Sequence, residues 1–365
     1  MTMTRTDDAT PTRALRPIEH PGAWRRSDFE DLRSITFELQ ERHLQALDEG
    51  LRAARASGRS TEELRREDFP LPDIKDDVDY IRDQVQNGRG LALLRGLPVS
   101  RYSREDMYRV FWGLGTHFGH AVSQSLMGDR LGHVTNVSGD NPCERGYRSR
   151  RELDMHTDSD DMLMMACLQD AKSGGQSRFV SALSIYNEML ASQPELLSIL
   201  MRGFRYHWRG EQAEGEGPIS RFRVPVYSHC NGVVSCLFLR AFIDMAAEDL
   251  GEPLGDEEIA ALDCFQELSE RAELQLALNL QPGDAYVANN YTVLHSRTAF
   301  QDYDAADKRR YLLRLWLKVT DGRPVVDAVR RFYRDDGITG REDASTVYVH
   351  ADAAQAVDQP DRQRR

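Results

Sequence analysis

Arg309-Arg310-Tyr311-Leu312-Leu313-Arg314-Leu315-Trp316-Leu317-Lys318-Val319 alternates with a period of two, the signature of a strand. Side chains two apart on a strand share a face. Arg310, Leu312, Arg314 and Trp316 therefore stand together, with Tyr311, Leu313, Leu315 and Leu317 opposite. The second, mostly apolar face needs covering helices, and the chain supplies helical patterns that can cover it. The face carrying two arginines then looks into the interior of a barrel; the alternative is an edge strand with its arginines in water.

Working outward, residues 27–64, 74–86, 103–114 and 256–280 carry helical spacing, and residues 184–201 read as two helices restarting at Pro194. Strand patterns occupy residues 91–98, 133–137, 162–169, 176–182, 285–289 and 292–296. Residues 221–240 read as a hairpin turning at Asn231-Gly232. Many short strands with helices outside predict an α+β fold, a double-stranded β-helix (jelly-roll) core with flanking helices. Residues 1–25 read as a disordered N-terminal arm, residues 26–340 as a single domain with N-terminal helices, and residues 341–365 as a flexible charged tail.

A net charge of −12 argues against binding nucleic acid or an anionic membrane. No apolar run reaches transmembrane length, and the first residues lack the apolar segment of a signal peptide. The five cysteines, Cys143, Cys167, Cys230, Cys236 and Cys264, show no CxxC pairing and read as reduced thiols of a cytoplasmic protein. A homo-oligomer is compatible with the sequence but not encoded in it.

His156-Thr157-Asp158 places an imidazole and a carboxylate on one side of one extended segment. His295, near the end of an apolar strand, can supply a third ligand. Two neutral imidazoles and one carboxylate, with coordination positions left open, form the ligand set of non-haem Fe(II) oxygenases. The motif alone is weak: His350-Ala351-Asp352 repeats it in the charged tail, without a strand around it. Asp154, Asp160 and Asp161 read as a solvated acidic loop rather than further ligands. His43, His117, His120, His133, His207 and His229 read as core or hydrogen-bonded histidines.

With these residues assembled, the chain resembles the taurine dioxygenase / 2,4-dichlorophenoxyacetate dioxygenase family of Fe(II)- and 2-oxoglutarate-dependent oxygenases. The resemblance runs from about Gly90 to Lys318. It begins with residues 91–98 and Gly115-Thr-His-Phe-Gly119, and passes through His156-Thr-Asp158 and Ser173-Gly-Gly-Gln-Ser177. Arg223-Val-Pro-Val-Tyr227, Pro282-Gly-Asp284, Val293-Leu-His-Ser-Arg297 and Arg309-Arg-Tyr-Leu-Leu-Arg314 complete the ordered series. The resemblance implies His156, Asp158 and His295 as iron ligands, with Arg310 and Ser177 holding the distal carboxylate of 2-oxoglutarate. It places Arg314 where the taurine enzyme meets an anionic substrate group. Arginine suits both tasks because its planar fork binds a carboxylate through two parallel charge-assisted bonds.

The chain departs from the family pattern in three places. Asn289-Asn290-Tyr291 stands where Asp-Asn-Arg is frequent, Met155 replaces a residue that is often aromatic, and residues 140–151 form an enlarged loop. Because Asp158 is present, the resemblance does not extend to halogenases, which lack that carboxylate. The implied reaction uses Fe(II), 2-oxoglutarate and O2 to hydroxylate, desaturate or cyclise an unactivated carbon of a small molecule. Arg145, Arg148, Arg150, Arg151 and Arg314 favour an anionic or zwitterionic substrate, with Gln124 and Asn290 as further substrate candidates because they flank family motifs. The competing readings are a zinc-dependent hydrolase using the same triad and a non-catalytic jelly-roll binding module.

Overall fold

The computed structural model describes residues 15–137 and 146–341. Tyr311–Lys318 is a strand, as the alternation predicts, and lies one position in from the edge of a seven-stranded sheet. Met162–Gln169 pairs antiparallel along one edge of this strand; His120–Val122 and Leu131–Thr135 share the other. Ala285–Asn289, Leu91–Arg95 and Thr36–Glu38 extend the sheet beyond Met162–Gln169, the last pair being parallel. A second, four-stranded sheet runs in the order Gln275–Leu278, Ser177–Ser181, Val293–Arg297, Leu153–His156, all antiparallel. The architecture is thus a mixture of helices and two principal sheets.

The two faces of Tyr311–Lys318 go where their chemistry sends them. Leu312 and Trp316 join a buried cluster with Met165 and Cys167 of the large sheet and Phe179, Leu278 and Val293 of the small one, so the sheets share an interior. Leu313, Leu315 and Leu317 pack outward against the helices Glu41–Ala56, Lys75–Gln86 and Arg104–Gly115. Arg310 and Arg314 are 5% and 7% exposed, which excludes the solvated edge-strand alternative. A further apolar cluster gathers the helices Ala182–Ser192, Pro194–Arg202, Arg240–Leu250 and Asp256–Ser269.

Local signals account for several boundaries. Ser103 caps its helix by accepting from the Asp106 amide, and Pro194 starts a new helix after Ser192. Asn231 and Gly232 both have positive φ, joining Tyr227–Cys230 to Val233–Cys236 in a two-residue hairpin.

Other expectations are corrected. Residues 27–40 are not helical: short 3-10 turns lead to the strand Thr36–Glu38, and the helix starts only at Glu41. Phe29 and Ile35, at helical spacing in the sequence, are buried instead beneath the large sheet's edge, and pairing with Leu91–Arg95 outweighs the local pattern. The helix expected over residues 256–280 stops at Ser269, and Gln275–Leu278 pairs with Ser177–Ser181. The helices Arg240–Leu250 and Asp327–Tyr333 were not anticipated. Residues 15–25, expected within a disordered arm, are packed instead: Trp24 is buried with its indole donating to the Arg89 carbonyl, and Ile18 bonds Asn187 through its backbone. Residues 342–365 and Cys143 lie outside the described residues, while Cys167, Cys230, Cys236 and Cys264 are free thiols. Among the described residues no helix is long and apolar enough to cross a membrane.

Candidate metal centre

The small sheet brings the predicted ligands together by register. His295 and His156 are directly paired across neighbouring strands, their rings 4.4 Å apart. Asp158 follows two residues after His156, with Oδ1 3.9 Å from His156 Nε2 and Oδ2 3.6 Å from His295 Nε2. One ligand atom from each of the three lies within 4.8 Å of the others.

Two of the three ligands are held from behind, whereas His295 Nδ1 is buried without a hydrogen-bond partner. His156 Nδ1 donates to the Asp154 carbonyl at 2.7 Å, which fixes the tautomer and leaves Nε2 bare. Burial, then the neighbouring His295, pushes the His156 pKa down to about 4, so the ring is neutral at physiological pH. Burial alone would raise the Asp158 carboxyl, but the Arg314 guanidinium and His295 hold it well below the usual carboxylate range. Asp158 Oδ2 accepts from Trp316 Nε1 at 2.8 Å, and Arg314 Nη1 stands 3.8 Å from the same oxygen. Two converging imidazoles and one carboxylate held in its ionised form by its neighbours fit a divalent iron.

Arg310 lies on the same strand face as Arg314 and Trp316. Its guanidinium sits 5.1 Å from the Phe300 ring centre, and Nη1 is buried without a protein partner. Burial lowers its pKa from the ordinary arginine value. Gly175 approaches so closely that a Cβ there would stand 3.1 Å from Arg310 Nε; its φ of +72° also favours glycine. A cavity of about 240 Å³ opens beside Arg310, bounded by Cys167, Gly174, Gly175, Leu280 and Leu312. Ser177 is buried on the adjoining sheet, paired with Arg297 on one side and Leu278 on the other. A buried guanidinium with an unused donor fits an incoming carboxylate.

The remaining predicted residues fall into different places. Arg314 donates from Nε to Gln124 Oε1 at 2.7 Å, while Gln124 Nε2 donates to the Arg314 carbonyl at 2.9 Å. The Arg314 guanidinium lies near the Tyr147 and Trp316 rings, 4.6 and 5.1 Å from their centres. Asn290 is fully buried: its Oδ1 accepts from the Asp158 amide at 3.2 Å and its Nδ2 donates to Asp160. Both ends of this amide thus shape the turn carrying Asp158. Arg151 is exposed, and its carbonyl accepts from Arg297. Arg145 and His350-Ala351-Asp352 lie outside the described residues.

The acidic segment needs a correction. Asp154 is exposed as expected, but Asp160 is fully buried, and burial beside Asp158 raises its pKa well above the carboxylate range. Asp161 accepts from the Tyr291 hydroxyl at 2.6 Å and the Val319 amide at 2.8 Å. Sequence reading also gave no role to the indole of Trp316 or to Arg297. The signal for Arg297 was present: it stands two residues after His295 and so shares its strand face.

The fold and the site define a class, the 2-oxoglutarate-dependent non-haem iron dioxygenases. The family described as "Taurine catabolism dioxygenase TauD, TfdA family" matches residues 56–316, and the chain belongs to it. FR-33289 synthase of Streptomyces rubellomurinus is 32% identical over 314 residues, spanning 84% of this chain and 92% of that protein. Taurine hydroxylase-like protein SAT17 of Stachybotrys chartarum is 26% identical over 306 residues, spanning 80% and 77%. Asparagine oxygenase, solved with Fe(II), 2S,3S-3-hydroxyasparagine and succinate, has a TM-score of 0.62 at 16% identity, covering 78% of this chain and 93% of its own. The non-haem iron oxygenase OrfP, solved with Fe and alpha-ketoglutaric acid, has a TM-score of 0.57 at 12% identity, covering 78% and 94%. At these identities the structural likeness is one of fold.

Proposed function

We propose that this enzyme couples oxidative decarboxylation of 2-oxoglutarate to oxidation of an unactivated carbon in a small anionic or zwitterionic molecule. Hydroxylation is the default outcome, and desaturation or cyclisation would use the same residues. The observation that carries this reading is the convergence of His156, Asp158 and His295, with the buried Arg310 on the strand that also supplies Trp316 to Asp158. We further read the two sheets as the walls of a double-stranded β-helix within one domain, which takes in Ile18 and Trp24 ahead of residue 26.

His156, Asp158 and His295 hold Fe(II), and Arg310 with Ser177 receives the far carboxylate of 2-oxoglutarate. When bound, iron and 2-oxoglutarate supply O2 activation, with release of succinate and carbon dioxide. The chain's part is positioning. Trp316 orients one Asp158 oxygen, Arg314 keeps Asp158 ionised, and Asn290 fixes the turn that aims it. Arg314 also brings positive charge beside the metal ligands, locked by Gln124 and the flanking rings, and this favours an anionic group on the substrate. Arg151 would act at the rim, where it is exposed.

The test is succinate release on supplying Fe(II), 2-oxoglutarate and O2 to the purified enzyme. His295→Ala and Arg310→Ala should each abolish it. Turnover by the zinc-loaded protein without O2 or 2-oxoglutarate would replace this reading with a hydrolase. For the substrate, carboxylates, sulfonates and amino acids should be screened for perturbation of the iron spectrum. Failure of all three classes would overturn the anionic or zwitterionic assignment.

A further inference from the structure

We propose that Arg297 is a second guanidinium for the distal carboxylate of 2-oxoglutarate, forming with Arg310 and Ser177 a three-sided anion seat. This rests on the cosubstrate assignment above and adds a residue to it.

The placement follows from strand geometry. Val293, His295 and Arg297 alternate along one strand, so they share a face, and Val293 belongs to the interior cluster between the sheets. Arg297 is the direct cross-strand partner of Ser177. Paired residues of neighbouring strands hold their Cβ atoms roughly 4.5–5.5 Å apart on the same face. The Arg297 guanidinium lies 4.6 Å from the Phe300 ring centre, and that of Arg310 lies 5.1 Å from the same centre. Arg297, paired with Ser177, and Arg310 thus approach the same ring, Phe300, from two different sheets.

Arg297 is 5% exposed. Its Nη2 donates to the Arg151 carbonyl, but Nε and Nη1 meet no acceptor, and Arg310 Nη1 meets none either. Asp302 is the nearby carboxylate. Its Oδ1 accepts from the Arg310 backbone amide at 2.8 Å, and its Oδ2 has no partner, so it does not pair with either guanidinium through a hydrogen bond. Glu152 is engaged by Arg178. Two buried cations with three idle donors are costly unless an anion completes them. A carboxylate has about four acceptor sites, more than Arg310 Nη1 and one hydroxyl would occupy. Arg297 supplies the missing donors, and the pair of arginines selects a dicarboxylic 2-oxo acid over a monocarboxylic one.

The experiment uses the full-length Fe(II)-loaded protein, kept anaerobic and titrated by calorimetry and by charge-transfer absorbance. The ligands are 2-oxoglutarate and pyruvate, which keeps the chelating end but lacks the distal carboxylate. Arg297→Gln should weaken 2-oxoglutarate roughly tenfold to a hundredfold, the range for losing hydrogen bonds to a charged group, and leave pyruvate unchanged. Arg297→Lys keeps the charge without the fork and should fall between; it carries the test alone if the glutamine variant does not fold. Unchanged 2-oxoglutarate affinity, or equal weakening of both ligands as a merely structural strut would give, overturns the Arg297 assignment. Absence of 2-oxoglutarate binding by the wild-type protein overturns the cosubstrate reading itself, and this one with it.

Discussion

Trp316 Nε1 donates to Asp158 Oδ2 at 2.8 Å, joining the strand Tyr311–Lys318 of the large sheet to a carboxylate two residues past the small sheet's edge strand Leu153–His156. The bond fixes one carboxylate oxygen while Oδ1 stays nearer His156. Partners standing behind a ligand tune it nearly as strongly as the ligands themselves.

Trp316→Phe keeps an aromatic ring in the interior cluster and deletes the donor together with the indole's second ring. Divalent-metal affinity should fall roughly tenfold to a hundredfold, while the protein stays folded. Titration with Fe(II) or Mn(II) measures the first, and circular dichroism checks the second. Unchanged metal affinity would show that the indole merely fills space.

Much of this arrangement was legible because a strand sorts residues by parity. The alternation from Arg309 to Val319 put Arg310, Arg314 and Trp316 on the interior face and Leu313, Leu315 and Leu317 under the helices, and the structure does the same. What stayed hidden depends on pairing between distant segments. Nothing local separates Phe29 and Ile35 from a helical stripe; their burial is decided by the neighbouring strands. Asp160 looks like one of several solvated aspartates until Asn290, 130 residues away, is seen to contact it. The opposition of Ser177 and Arg297 is likewise a matter of register, which a single strand's sequence does not contain.

Asn290→Ala tests the turn that carries Asp158. The substitution leaves the Asp158 amide and Asp160 without their side-chain partner in a fully buried place. Each abandoned buried group costs about 1–3 kcal/mol. The urea midpoint should drop accordingly with little change in slope, and metal affinity should fall with it. A midpoint equal to wild type would mean that water replaces the amide without cost.

Arg310→Gln and Ser177→Ala probe the two residues assigned to the cosubstrate. The KM for 2-oxoglutarate should rise roughly tenfold to a hundredfold for Arg310→Gln and less for Ser177→Ala, reflecting a charged against a neutral donor. Removing the metal with a chelator should abolish succinate release in all forms, and Fe(II) should restore it. Steady-state kinetics in 2-oxoglutarate read both effects. An unaltered KM in Arg310→Gln would remove Arg310 from the cosubstrate site.

The pH dependence of stability is set in one window by His156. Its folded-state pKa lies at about 4, below the ordinary value of 6.5, chiefly because burial disfavours the charged ring. As pH falls, the unfolded chain therefore takes up this proton first, and stability declines between about 6.5 and about 4. The loss is about 3 kcal/mol at most, since the ring keeps 24% of its side chain exposed. Asp158 acts in a separate window. Its carboxyl is held below the usual range, so its contribution is present above that range and is lost at more acid pH. Metal-free protein should be unfolded with urea at pH 7, 5.5 and 4.5, beside His156→Asn. The wild-type stability should fall more steeply than that of the variant across these points. Parallel slopes would mean that His156 takes its proton as readily in the folded protein as in the unfolded chain.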